Sequence, residues 1–507
     1  MFEEIQPSLI EPIDLQQGAF KRTLTARGGV ILALVIPMSG FTLIGYEIGA
    51  LGAWGALAVW GGTSIIALLQ NFIFAELAEM FPNASGGIAM YASKAWQRYV
   101  RPLGSILGIG YWAGWSLTLA VVSLVIGDLV QAEWFPRVTW AFEIFGNHVG
   151  LPTFIAAATV VLVYLMNITG LRVVINANLA IAITLAVLAG VCLIGPLVTG
   201  KFHGGLLTFA AGNGSWSTWK LLLTWGFVAS WTSYGTEICA MFASEYKRRS
   251  DVTKALLSSS LIMLVVVAAS TTVMTGTVGI GEIQRSPIGY LVAVVSKVLP
   301  YHLGGLVIAI ICAAQLIALG SATSDSGRAL YGMAEHGLTI RQLEKLNRHN
   351  QPARGMTVDM IFNLLVLFMV SNVAGIIFAS NLGYLLAVFF ALTGFLVLRY
   401  THPEMARPLR LPWPWLFVAG ALALFNAVMI VVGFSNPGLV GYGGRTEQII
   451  SLSVIVLGLA SYVWRQTFQE KAGFPMRDLS SLDGPEEVLG IPASEKVPAA
   501  VVPVNDE

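Results

Sequence analysis

The sequence predicts an all-α polytopic membrane protein with twelve transmembrane helices. Composition predicts it first: 56% of the 507 residues are hydrophobic and 11% are charged, against about 25% charged in an ordinary soluble domain. A soluble fold needs a polar skin and could not hide so much apolar surface in one core. Length predicts it next, because each span takes about 20 mostly apolar residues. Runs of that kind fall near 29–50, 53–80, 103–131, 153–170, 175–198, 220–243, 253–279, 304–332, 356–373, 375–399, 412–434 and 447–467. They do not alternate in polarity as barrel strands of about ten residues would. Charge placement predicts it third: with an intracellular N-terminus, 23 of the 29 lysines and arginines fall in segments on the inner side.

Taken in order, residues 1–27 are polar and acidic before the first apolar run, without a cleavable signal, and read as a disordered cytoplasmic tail. The transmembrane domain covers 28–468. The amphipathic stretch 286–300 is too short to span and is expected to lie as a loop helix on the outer face. Residues 469–507, rich in Pro, Asp and Glu, read as a second cytoplasmic tail. This places a multi-pass protein in the plasma (inner) membrane with both termini inside. The net charge of +1 gives no reason to expect a nucleic-acid partner. The three cysteines lie in apolar runs, so neither a disulfide framework nor a metal site is expected, and no cofactor motif occurs.

Two spans carry interruptions. In lipid an unpaired backbone group costs several kcal/mol, so a helix breaks only where it lines a cavity. The first span contains Ile36-Pro37-Met38-Ser39-Gly40-Phe41, where Pro37 removes a donor and Gly40 relaxes the backbone. The sixth contains Trp231-Thr232-Ser233-Tyr234-Gly235-Thr236-Glu237, polar at mid-membrane depth. Paired breaks in corresponding positions are a pointer to a transporter site. Free N–H groups of one half-helix would receive a carboxylate and free carbonyls of the other an ammonium, which suits a zwitterion or an amine.

Several segments resemble the amino acid–polyamine–organocation superfamily of permeases. They are Ala75-Glu76-Leu77-Ala78-Glu79-Met80-Phe81-Pro82 with Gly86-Gly87 and Tyr91, then Arg101-Pro102-Leu103-Gly104 leading into Gly110-Tyr111-Trp112. Tyr234-Gly235-Thr236-Glu237, Ser326-Gly327-Arg328 through Gly337, and Arg407-Pro408-Leu409-Arg410-Leu411-Pro412 follow in order. The resemblance implies a five-plus-five inverted repeat, about 28–200 and 218–400, with two further helices over 412–468, and alternating access. It sets Met38-Ser39-Gly40 on the family's carboxylate cradle, with Met38 where the family has Gly. It sets Trp231 on an aromatic that caps substrate and Glu237 on a gating or coupling acid. On that resemblance Ser39 and Gly40 are expected to bind a carboxylate, carbonyls around Ile36 and Ser233 to take an amine, and Phe41 and Trp231 to close over the substrate. Some proton-coupled members carry a lysine in span five; here the nearest equivalent is Thr184.

Ionisable groups at membrane depth need a reason, since each costs at least about 2.5 kcal/mol. Glu47 and Asp128 fit either an outward vestibule or a solvated interface. Glu76 and Glu79, at the inner end of span two, are expected to join a cytoplasmic gate network with the basic loops. Trp115 and Thr118 share a helix face and could line the site. The function these residues suggest is secondary active transport of an amino acid or related amine, by exchange or with a proton, as a monomer or homodimer. A polyamine or biogenic-amine permease and a transporter-like membrane sensor are the alternatives.

Overall fold

The computed structural model describes residues 22, 24–39, 44–82, 86–169, 187, 189–349, 351–370, 372–441 and 443–477. The described chain is mostly helical. Eight of its helices are long and apolar enough to cross a membrane by length and composition. Most of the run 175–198 lies outside the described residues, and the described residues of the other apolar runs are mostly helical.

Helix α1 is Ala26–Ser39 and α2 is Ile44–Met80. α1 remains helical through Pro37, so the expected interruption at Ile36–Phe41 leaves helical structure intact as far as Ser39, and the four positions that follow lie outside the described residues. α2 is two helices joined at Gly52, whose φ of 72° is a conformation only glycine adopts readily. Its short first piece ends at Leu51, the boundary between the first two apolar runs. α3 (Gly87–Trp96) precedes α4 (Pro102–Ser116) and α5 (Thr118–Trp134).

The single run 103–131 is thus divided at Leu117. The division is held from a distance: Asn363 Oδ1 accepts from the Ala120 amide at 2.9 Å, and its Nδ2 donates to Ser116 Oγ at 3.0 Å. The side chain satisfies the backbone group that the kink frees, as a low-dielectric interior requires.

Strands β1 (Ala141–Ile144) and β2 (Asn147–Gly150) form a hairpin before α6 (Leu151–Ile168). Then come α7 (Trp216–Ser233), a 3₁₀ segment Tyr234–Glu245, and α8 (Arg249–Val278). The stretch expected to form a loop helix contains α9 (Tyr290–Val298), whose Tyr290, Leu291, Val294 and Val295 are buried. It is followed by α10 (Tyr301–Glu335), α11 (Ala353–Met369), α12 (Val373–Thr401), α13 (Trp415–Ser435) and α14 (Arg445–Trp464).

Lipid-phase packing relies on small residues and interhelical polar bonds, each bond worth about 0.6 kcal/mol. Asn71 on α2 donates to Thr236 Oγ1 at 2.9 Å and to Ser260 Oγ at 2.6 Å, joining α2, the 3₁₀ segment and α8. Asn381 on α12 donates to the Phe227 carbonyl and to Ser230 Oγ on α7.

Candidate functional site

The sixth span changes from α-helix to 3₁₀ geometry between Ser233 and Tyr234, within the stretch expected to break. Tighter winding there releases the regular i→i−4 pattern and turns the following side chains inward. Several bonds from other elements hold the last α turn. Trp231 Nε1 donates to the Gly114 carbonyl at 2.8 Å, and Ser233 Oγ lies 2.8 Å from Thr63 Oγ1. Asn381 takes the Phe227 carbonyl one turn earlier.

Glu237 follows the change in winding and is 0% exposed. Tyr111 Oη donates to both carboxylate oxygens at 3.0 Å, and Tyr384 Oη reaches Oε1 at 3.3 Å. No basic side chain pairs with Glu237 among the described residues. Two phenols from α4 and α12 therefore grip an acid of the sixth span.

The two phenols are placed by their neighbours. Gly110 and Gly383 each precede one of the tyrosines, and there α4 and α12 meet backbone to backbone. A Cβ on Gly110 would stand 2.8 Å from the Gly383 Cα, and one on Gly383 would be closer still to the Gly110 Cα. Backbone cannot yield as a flexible side chain can. Gly383→Ala should therefore separate the helices and pull the Tyr384 hydroxyl from Glu237. Overpacking of this kind costs about 1–3 kcal/mol. The expected result is a folded protein of lower thermal stability with at least tenfold slower uptake (about 1.4 kcal/mol). Wild-type uptake by Gly383→Ala would disprove the spacing argument.

Aromatic rings enclose the acid. Trp115 packs against Tyr384 with centroids 5.6 Å apart, against Trp231 at 6.3 Å and against Tyr111 at 6.4 Å, and Tyr111 lies 6.0 Å from Tyr384. Around this cluster some buried polar atoms have no hydrogen-bond partner among the described residues: Trp115 Nε1, Thr118 Oγ1 and Tyr234 Oη. Such atoms are costly unless something bonds them.

A family model for amino acid permeases matches residues 24–460. This chain belongs to the amino acid permease family. The glutamate/serine transporter AimA of Bacillus subtilis is 24% identical over 455 residues, covering 83% of this permease and 79% of the relative. The lysine-specific permease LysP of Lactococcus lactis is 24% identical over 498 residues, covering 90% and 92%. A mutant of the Eremococcus coleocola manganese transporter, solved as a crystal structure, superposes with a TM-score of 0.52 at 14% identity. That match covers 87% of the permease and 94% of that chain, and it shows a shared fold alone. The permease is an integral membrane transporter and not an enzyme.

Among the site residues read from the permease sequence, the structure brings Trp115, Trp231 and Glu237 into one cluster. Ser233 binds Thr63, while Tyr234 and Gly235 open the 3₁₀ segment beside them. Thr118 is buried at the start of α5. Ile36, Met38 and Ser39 lie in the last turn of α1; Gly40, Phe41 and Thr184 lie outside the described residues. Glu76 sits at the far end of α2, remote in sequence from the cluster. It accepts from Arg399 Nη2 at 2.5 Å and from the Leu411 amide at 2.8 Å, with Arg407 Nε 3.4 Å from its other oxygen. Glu79 accepts from Thr253 Oγ1 at 2.5 Å. Glu47 is 2% exposed, so it is not a solvated interfacial group, whereas Asp128 is half-buried. The sequence did not single out Tyr384, and it marked Tyr111 only as part of the segment Gly110-Tyr111-Trp112. The matched Gly-Tyr pairs at 110–111 and 383–384 were the available signal.

Proposed function

We propose that this permease is a secondary active carrier of amino acids or related amines, working by alternating access around the change in winding of the sixth span. The observation that carries the reading is Glu237, a buried acid without a basic partner among the described residues, held by two phenols inside an aromatic cluster. A preorganised acid beside polar atoms in need of partners suits a small molecule with an ammonium and hydrogen-bonding groups. The named relatives carry glutamate, serine or lysine, which share an α-amino and an α-carboxylate group. The reading includes twelve spans arranged as a five-plus-five inverted repeat with two further helices. It also places the protein in the plasma membrane with both termini cytoplasmic. Exchange and proton coupling are the two modes it allows.

The test is purified permease in liposomes, screened with labelled amino acids and biogenic amines, with and without internal counter-substrate and a pH gradient. Saturable flux of an amino acid supports the reading, flux of polyamines alone favours the amine permease, and the absence of any flux refutes transport of these classes. Trp231→Leu should abolish uptake without lowering membrane yield, because it removes both the ring over the cluster and the tie to Gly114. Uptake at the wild-type rate in that variant would refute the assigned site.

A further inference from the structure

Glu47 belongs to neither the Glu237 cluster nor the Glu76 network. It stands in the short first piece of α2 and lines a small cleft with Tyr46, Trp60, Trp225, Thr232 and Ile377. Trp225 and Thr232 lie on one face of α7, spaced by seven residues. Thr232 adjoins Trp231 and Ser233, so the cleft backs onto the turn that leads to Glu237, on the side away from Glu76.

The chemistry of the walls is unusual. Glu47 Oε2 is buried and has no hydrogen-bond partner among the described residues, and the same holds for the indole N–H groups of Trp60 and Trp225. The cleft thus offers one unpaired acceptor and two unpaired donors. About 10 Å³ is open to the centre of a water-sized body, close to the least that holds one water. A water fits that inventory, because it accepts from indoles and donates to the carboxylate. An ammonium group does not, because it has no lone pair for the N–H groups.

The charge of an ionised Glu47 would lack any partner among the described residues. No Lys, Arg or His lines the cleft. On the packed elements, Lys220 lies off the cleft face of α7, and Arg399 is at the opposite end of α12. Arg249, Asp251 and Lys254 sit in the first turns of α8, beside the Thr253–Glu79 bond. Glu282 and Arg285 pair with each other at 3.5 Å on the surface. The next acid, Glu237, is held by Tyr111 and Tyr384. A buried carboxylate in apolar surroundings without a partner is costly, and adding a proton removes that cost.

We propose that Glu47 is a proton-binding site of this permease, loaded through a single water in the Trp60–Trp225 cleft. The bound water gives a proton to Glu47 Oε2 as it takes one from hydronium in the bulk, so it stays neutral and each O–H bond formed matches one broken; release runs by the reverse step. Proton loading and substrate binding then act on neighbouring turns of α7.

The test uses full-length permease in liposomes. In infrared difference spectra a carboxylic-acid C=O band should titrate with pH in the wild type and in Glu47→Asp, and should be missing in Glu47→Gln. With one proton per substrate, an inward proton gradient of one pH unit should raise accumulation about tenfold. Glu47→Gln should lose that stimulation. A band that survives in Glu47→Gln overturns the proposal, as does undiminished stimulation by the gradient. Should Glu47→Gln fail to fold, Trp60→Phe removes one donor to the water and must shift the band; an unshifted band overturns the proposal. The infrared arm needs no substrate, so its failure is distinguishable from failure of the transport reading.

Discussion

Glu76→Gln should be the most destabilising single change among those considered. Glu76 is fully buried and accepts from Arg399 and the Leu411 amide, with the Arg407 side chain, 3% exposed, against its second oxygen. Removing one partner of a buried ion pair strands the remaining charges, which costs about 3–5 kcal/mol. Here two guanidinium groups would share the loss. The expected result is a marked drop in apparent melting temperature in detergent and reduced yield. Arg399→Met should cost less, because Arg407 and the Leu411 amide still face the carboxylate. If Glu76→Gln melts with the wild type, the network carries no stability and its role is elsewhere.

Glu237→Gln should have a large effect on transport at a small cost in folding. The amide keeps an acceptor for Tyr111 or Tyr384, so the packing of α4, α12 and the sixth span survives, but the negative charge is gone. Loss of a charged hydrogen-bond partner is worth about 1.5–3 kcal/mol, or about tenfold to more than a hundredfold in uptake. Tyr384→Phe, which removes a single longer bond, should lie between the wild type and Glu237→Gln. The decisive measurement is initial uptake normalised to the folded fraction by size-exclusion chromatography. Full uptake by Glu237→Gln would remove this acid from the transport site.

The helices were legible because a bilayer demands long apolar runs and little else of them. Even the turn at Gly52 coincides with the gap between the first two runs. The kink at Leu117 was not legible, since neither a proline nor a glycine occupies it and its stabiliser, Asn363, comes from another helix. The same limit applies to the site. Glu237 stood out as an acid beside a break in a single span. Its grip depends on residues 111 and 384, which sequence alone cannot bring together, and on two glycines whose meaning appears only where the helices cross. The stretch Ile36–Phe41, expected to be interrupted, is helical as far as Ser39, and the positions that follow lie outside the described residues.

Helix α12 passes Glu47, Glu237 and Glu76, three buried acids, in turn. Near its start Ile377 walls the Glu47 cleft, seven residues on Tyr384 holds Glu237, and fifteen further Arg399 binds Glu76. At a rise of 1.5 Å per residue these stations are about 10 and 22 Å apart along one uninterrupted helix. α12 is therefore a shaft through the carrier: a displacement that frees Arg399 at one end must also move the phenol at the middle and the wall of the cleft at the other.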